Sequence, residues 1–202
     1  MREPAAAAIP RPRSLYSAPY SDFGCDLATH GNIFIVGPMG AGKTTVGKRL
    51  AEQRGMTFVD SDHEIESRCG VDIPFIFEKE GESGFRKREA QVIGELTQRN
   101  DIVLATGGGA VVTPENRQAL GGRGFVVYLH ATVQQQLQRT QRCENRPLLQ
   151  APDRREVLER LLRERDPFYR EIADLVLESD GHNAKWLVKE IERYLDQPVG
   201  AS

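Results

Sequence analysis

Residues Ile33-Phe-Ile-Val-Gly37-Pro-Met-Gly-Ala-Gly-Lys-Thr44 decide the fold. Ile33 to Val36 are apolar and mostly β-branched, which fits a strand buried on both faces. The next eight residues match G-x-x-x-x-G-K-[ST] in full. Val46 and Leu50 then fall on one face of a helix starting near Gly42. Each residue type follows from phosphate chemistry. Gly37, Gly40 and Gly42 admit backbone angles closed to other residues, so consecutive N–H groups can turn toward one anion. Those amides, together with the positive end of the helix, suit a β-phosphate. Lys43 reaches the β- and γ-phosphates, and the Thr44 hydroxyl is placed to ligate Mg²⁺. A glycine-rich turn kept only for packing is the alternative. The complete motif between a strand and a helix favours nucleotide binding, and leaves the phosphate acceptor open.

Outward from this loop the same alternation continues. Thr57-Phe-Val59, Ile102-Val-Leu-Ala105, Phe125-Val-Val-Tyr-Leu129 and Leu175-Val-Leu177 read as further buried strands. Helical spacing joins Val92, Ile93 and Leu96, and again Val157, Leu158, Leu161 and Leu162. Strands alternating with helices predict right-handed βαβ crossovers and a three-layer α/β sandwich. The chain has 202 residues, which suits one domain, with no internal repeat. Residues 1–30 are rich in Pro and Ala without a regular apolar period and read as a disordered tail. Ile9-Pro-Arg-Pro-Arg13 interrupts any secretory apolar core, and Glu3, Asp22 and Asp26 speak against a transit peptide. A net charge of −2 argues against a nucleic-acid or anionic-membrane binder. Three widely spaced cysteines (Cys25, Cys69, Cys143) form neither a disulfide framework nor a zinc site and favour a reducing compartment, so a cytoplasmic location is expected.

Candidate acceptor residues lie past the second and third strands. Val59-Asp60-Ser61-Asp62 puts two acids at the strand end, where α/β proteins bind ligands. One carboxylate can face the metal's water shell while the other orients a substrate hydroxyl for in-line attack. A helix N-cap with a solvated neighbour is the plainer reading of the same residues. Gly84-Phe-Arg-Lys-Arg-Glu89 reads as the opening of a helix, whose arginine either grips a carboxylate or belongs to a solvated face. Thr106-Gly-Gly-Gly109 permits close backbone approach to a ligand, or is a flexible turn. Nine arginines and no lysine occupy Arg139 to Arg170, most of them expected in solvent or in i,i+4 pairs. Arg146-Pro-Leu-Leu149, in a stretch bounded by Pro147 and Pro152, suits a lid that excludes water.

Taken together, G-P-M-G-A-G-K-T-T, D-S-D, G-F-R-x-R-E, L-A-T-G-G-G, R-P-L-L and E-R-D-P-F-Y resemble the shikimate kinase family in order and spacing, from about Asn32 to Leu195. The resemblance implies a three-layer α/β/α sandwich with a five-stranded parallel sheet, a nucleoside monophosphate kinase-like P-loop fold. It implies one domain over residues 31–197 with a lid near 143–153, followed by a short tail at 198–202. ATP and shikimate are the implied substrates, with Mg²⁺ as cofactor, in a monomer without nucleic-acid or membrane partners. Gly40, Ala41, Gly42, Lys43, Thr44 and Thr45 would bind ATP phosphates, with Thr44 and Asp60 on the metal side. Asp62, Arg86, Gly108 and Arg165 would form the shikimate site, and Asp62, Lys43 and Arg146 the catalytic set, Arg146 arriving with the lid to contact ATP. The nucleotide-side position near the last helix falls at about His182, where histidine departs from the residue expected. Within enzymes, gluconate or nucleoside monophosphate kinases are the alternatives. A nucleotide-binding regulator without turnover is the alternative outside them.

Overall fold

The computed structural model describes residues 31–141 and 153–196. Residues 1–30, 142–152 and 197–202 lie outside the described residues, among them Arg146 and all of the expected lid at 143–153 except Asp153.

Five strands form one parallel sheet in the order β2-β3-β1-β4-β5. They are β1 (Asn32–Val36), β2 (Thr57–Asp60), β3 (Ile102–Ala105), β4 (Phe125–His130) and β5 (Leu175–Glu178). The register pairs Phe34 with Leu104 on one side and with Val126 on the other. Because successive side chains of a strand point to opposite faces, β1 feeds two separate cores. Phe34 and Val36 join Leu104, Val126 and Tyr128 on one face, while Ile33 and Ile35 join Val103, Val127 and Leu129 on the other. All five β1 residues are buried. Burying each large apolar side chain contributes roughly 1.5–3 kcal/mol, so the central strand is a major source of stability.

Helices α1 (Lys43–Arg54) and α7 (Ala184–Leu195) cover the Ile33 face through Val46, Leu50, Leu187 and Ile191. The other face is covered by α2 (Ser61–Cys69), α3 (Ile73–Leu96), α4 (Pro114–Arg123) and α6 (Arg154–Ile172). Helix α5 (Val133–Thr140) packs on α6 in a small third core around Met39, Leu158 and Leu161. Three layers, parallel strands and all five strand positions match the expectation from the sequence. No helix among the described residues is long and apolar enough to cross a membrane.

One boundary differs. The sequence suggests a helix opening at Gly84, but helical structure already begins at Ile73, capped by Asp72 on the Phe75 N–H at 2.9 Å. The interruption falls at Gly81, whose φ of 68° and ψ of −177° leave helical space. Gly84 therefore lies just inside the second half of α3. This half is anchored by Phe85, Val92, Ile93 and Leu96.

Candidate active site

Between β1 and α1 the chain turns through three glycines with positive φ, at Gly37 (144°), Gly40 (77°) and Gly42 (95°). Gly42 is the N-cap residue of α1 and makes no side-chain capping bond, so the first N–H groups of the helix face outward from a backbone that only glycine adopts readily. A side chain at Gly37 would run into the Leu129 carbonyl, so the loop is pinned to the end of β4. Ala41 is buried beneath the turn, whereas Thr44 and Thr45 are exposed on the first turn of α1. The Lys43 ammonium donates to the Gly37 and Pro38 carbonyls, each at 2.8 Å, and so lies across the loop it follows.

A second cation meets this loop. Arg139 on α5 donates from Nη1 to the Gly40 carbonyl at 2.9 Å, and the same nitrogen is 3.5 Å from where a Cβ on Gly42 would stand. The sequence reading left Arg139 in a solvated charge run. The available signal was topological: α5 follows β4, and β4 ends against Gly37.

Asp60 combines the two readings of the Asp-Ser-Asp segment. Its Oδ1 accepts from the Asp62 N–H at 3.1 Å as the N-cap of α2, while its Oδ2 accepts from the Thr44 hydroxyl at 2.8 Å. A hydroxyl and a carboxylate thus stand side by side at the edge of the phosphate loop. Two hard oxygen donors of this kind fit Mg²⁺, which is commonly held by one or two protein oxygens with phosphates and water completing the shell. Ser61, fully buried between the two acids, accepts from the Gly107 N–H at 3.0 Å and ties this segment to the triple-glycine turn.

That turn is a meeting point rather than a flexible link. A Cβ on Gly107 would lie 2.5 Å from Asp62 Oδ1 and 3.2 Å from Glu89 Oε1. One on Gly108 would lie 3.4 Å from the Met39 nitrogen, and one on Gly109 would lie 2.6 Å from Arg86 Nη1. Side chains at Gly107 and Gly109 would displace the Asp62 carboxylate and the Arg86 guanidinium, while Gly108 lies at van der Waals distance from the phosphate loop. Arg165 and Tyr169 on α6 both donate to the Gly108 carbonyl, Arg165 at 3.3 Å. Although 8% exposed, Arg165 pairs with this carbonyl rather than with a carboxylate.

Arg86 is not on a solvated face. Its Nη1 donates to Glu89 at 2.7 Å and its Nη2 to Glu82 at 3.1 Å. Burial works against the Arg86 charge, but Glu89 and Glu82 outweigh it and hold the guanidinium above its usual pKa. Glu89 is 1% exposed, and burial pushes its carboxyl up more than Arg86 pulls it down, with the nearby Asp62 charge adding to the rise. Glu89 Oε1 and Arg86 Nε are both buried without a hydrogen-bond partner among the described residues. Glu89 closes the G-F-R-x-R-E motif, but the sequence assigns it no role of its own, although it stands three residues after Arg86, one helical turn along.

Of the expected site residues, the structure brings together Gly40 to Thr45 with Asp60, and Asp62, Arg86, Gly108 and Arg165 beside them. His182 stands apart in this respect: it stacks flat on Trp186 at the start of α7, ring centroids 3.7 Å apart and 12° between planes. Arg146 lies outside the described residues.

Comparison with known proteins identifies the family. The shikimate kinase family model matches residues 39–196. A shikimate kinase of Francisella tularensis subsp. novicida (strain U112) is 56% identical over 165 residues, covering 81% of this chain and 94% of the relative. One from Haemophilus influenzae (strain PittEE) is 55% identical over 175 residues, covering 86% and 97%. Among solved structures, a shikimate kinase from Acinetobacter baumannii in complex with shikimate superposes with a TM-score of 0.81 at 54% identity, covering 84% of this chain and 94% of that one. A gluconokinase from Sinorhizobium meliloti shares the fold at 20% identity and a TM-score of 0.53.

Proposed function

We propose a division of labour within this site from one premise: the chain belongs to the shikimate kinase family. The reaction is transfer of the γ-phosphoryl group of ATP to a ring hydroxyl of shikimate, giving ADP and shikimate 3-phosphate. The hydroxyl oxygen attacks the γ-phosphorus while the bond to the bridging oxygen breaks. There is no covalent enzyme intermediate, so the protein contributes position and charge.

The backbone of Gly40 to Gly42 and the first turn of α1, including Thr44 and Thr45, hold the phosphates. Lys43 turns from the Gly37 and Pro38 carbonyls to the β- and γ-phosphates and neutralises charge developing on the migrating group. Thr44 and Asp60 would hold Mg²⁺, which when bound supplies further charge neutralisation at the phosphates. Asp62 accepts a hydrogen bond from the attacking hydroxyl, orients it, and takes its proton. Arg86 and Arg165 grip the shikimate carboxylate from either side of the Gly108–Gly109 turn, and the backbone of Gly108 meets the ring. Arg146, carried by the lid, contacts ATP, and Arg139 adds a cation over the phosphate loop. In the same reading the enzyme is a cytoplasmic monomer without a nucleic-acid partner, the last supported by the net charge of −2.

The observation that carries this reading is the contact between the two halves. The turn that gathers Asp62, Arg86 and Arg165 also abuts Gly37 and Met39 of the phosphate loop. A hydroxyl held by the first group therefore stands next to a phosphate held by the second. The test is ADP release from ATP and Mg²⁺ by the purified protein with shikimate, gluconate or AMP as acceptor. Stimulation by shikimate alone is expected; stimulation by gluconate or AMP instead would assign the pocket to a different acceptor.

A further inference from the structure

Helix α6 carries Pro167 between Arg165 and Tyr169. A proline inside a helix lacks the N–H for its backbone bond, so this turn is held less firmly by its own backbone. Side chains supply the anchorage instead. The Tyr128 hydroxyl donates to Asp166 Oδ1 at 2.7 Å, and Arg170 donates to Asp166 Oδ2 at 2.7 Å. Tyr169, fully buried, stacks on Tyr128 with centroids 4.8 Å apart, and its hydroxyl donates to the Gly108 carbonyl.

The last of these bonds differs from the others in its destination. Gly108 accepts from Arg165, and a Cβ on it would lie 3.4 Å from the Met39 nitrogen and 3.5 Å from the Gly37 carbonyl oxygen of the phosphate loop. Neighbouring carbonyls of the same turn are also held by side chains: Asn116 donates to Ala110 at 2.9 Å, and Arg117 to Val111 at 2.8 Å. The Gly107 N–H is held by Ser61. Tyr169 therefore holds the peptide of this turn that also accepts from Arg165 and lies against the phosphate loop.

We propose that Tyr169 is a positioning residue for phosphoryl transfer: its hydroxyl fixes the Gly108 peptide and so sets the spacing between the phosphate loop and the acceptor pocket. It also occupies the carbonyl that Arg165 otherwise serves alone, leaving the remaining guanidinium donors of Arg165 for the substrate carboxylate. The inference rests on the function proposed above.

The test compares Tyr169→Phe with Tyr128→Phe, two substitutions that each remove one buried phenolic hydrogen bond from the same stacked pair. Both are expected to lower the melting temperature by a few degrees, roughly 2–4 °C. Only Tyr169→Phe is expected to reduce kcat/KM for shikimate, by about tenfold or more, with ATP affinity measured without shikimate unchanged. Hydrogen exchange of the peptide spanning residues 104–112 should accelerate in Tyr169→Phe and not in Tyr128→Phe. If Tyr169→Phe keeps wild-type kinetics and exchange, or if Tyr128→Phe produces the same losses, Tyr169 is structural and the inference fails. Should the wild type not use shikimate at all, the proposed function falls, and the exchange measurement alone then decides whether Tyr169 holds the turn.

Discussion

The half of this site proposed to hold the nucleotide is shaped by backbone, with glycines at φ of 144°, 77° and 95°. The acceptor half is shaped by side chains from three helices, with Asp62 on α2, Arg86 and Glu89 on α3, and Arg165 and Tyr169 on α6. The first is built mainly from one stretch, Gly37 to Thr45, joined by Asp60 and Arg139, and its charges are few and partly solvated. The second is scattered through the chain and buries charged groups against one another. Function and stability should therefore separate in the first half and be coupled in the second, because a buried charge that loses its partner destabilises the fold as well as the chemistry.

Lys43→Met is the sharpest probe of the first half. The cradle keeps its shape from glycine dihedrals and from Arg139, neither of which depends on Lys43. The substitution removes the cation that the proposed function turns toward developing charge, and kcat is expected to fall roughly 10²–10³-fold. Loss of the two bonds to Gly37 and Pro38 should cost stability on the order of 1 kcal/mol. Steady-state kinetics and thermal denaturation read the two effects separately. A large fall in melting temperature would break the contrast, since the nucleotide half would then be held by its side chain as well.

Arg86→Ala probes the second half, and both readouts should move. Shikimate kcat/KM is expected to fall roughly 10²-fold, and leaving Glu89 buried without its cation should cost about 3–5 kcal/mol. The pH dependence follows from the same pair. Burial already pushes Glu89 up, Asp62 pushes in the same direction, and Arg86 is the main group pulling it down. Without Arg86 the folded protein holds a proton on Glu89 well above the ordinary carboxylate value of about 4.3, where the unfolded chain has released it. Where the folded state binds more protons, stability falls as pH rises. The melting-temperature deficit of Arg86→Ala relative to wild type should thus be larger at pH 8 than at pH 5. An equal deficit at both would mean that Glu89 does not titrate in this range.

The same division explains what the sequence discloses. Strand positions and the phosphate loop are local patterns: the period of β1 and the spacing of Gly37, Gly42 and Lys43 are complete within a dozen residues. Asp60 and Asp62 are visible because they end a strand, although whether Asp60 caps α2 or faces the phosphate loop is not a choice the sequence poses correctly, since it caps α2 and also accepts from the Thr44 hydroxyl. Arg86 and Arg165 stand 79 positions apart (165 − 86), and only a family pattern joins them. Glu89 and Tyr169 stand in the quoted G-F-R-x-R-E and E-R-D-P-F-Y motifs without a role, and Arg139 stands in a charge run; Arg139 and Tyr169 bond to the carbonyls of Gly40 and Gly108, and bonds to a carbonyl leave no residue-type signal at the other end. The break at Gly81 is similarly hidden, because glycine within a helical stretch is common and only the observed φ of 68° marks it.

The narrowest comparison lies within α3, where Arg86 and Arg88 are separated by one residue and carry the same group. Arg88 donates to Glu80 at 2.8 and 2.6 Å, a bidentate pair as short as any that Arg86 makes. Yet both partners stand in solvent, where water and salt screen the attraction and ordering two long side chains offsets much of it. The pair does bridge the Gly81 break, but the second half of α3 is already fixed by Phe85, Val92 and Ile93 in the core. Arg88→Ala is therefore expected to leave kcat and the shikimate KM within about twofold of wild type, since exposed pairs contribute little. Turnover measured beside Arg86→Ala decides the matter. A tenfold loss in Arg88→Ala would show that the acceptor half responds to the charge of the helix as a whole, and that burial and partner are not what set Arg86 apart.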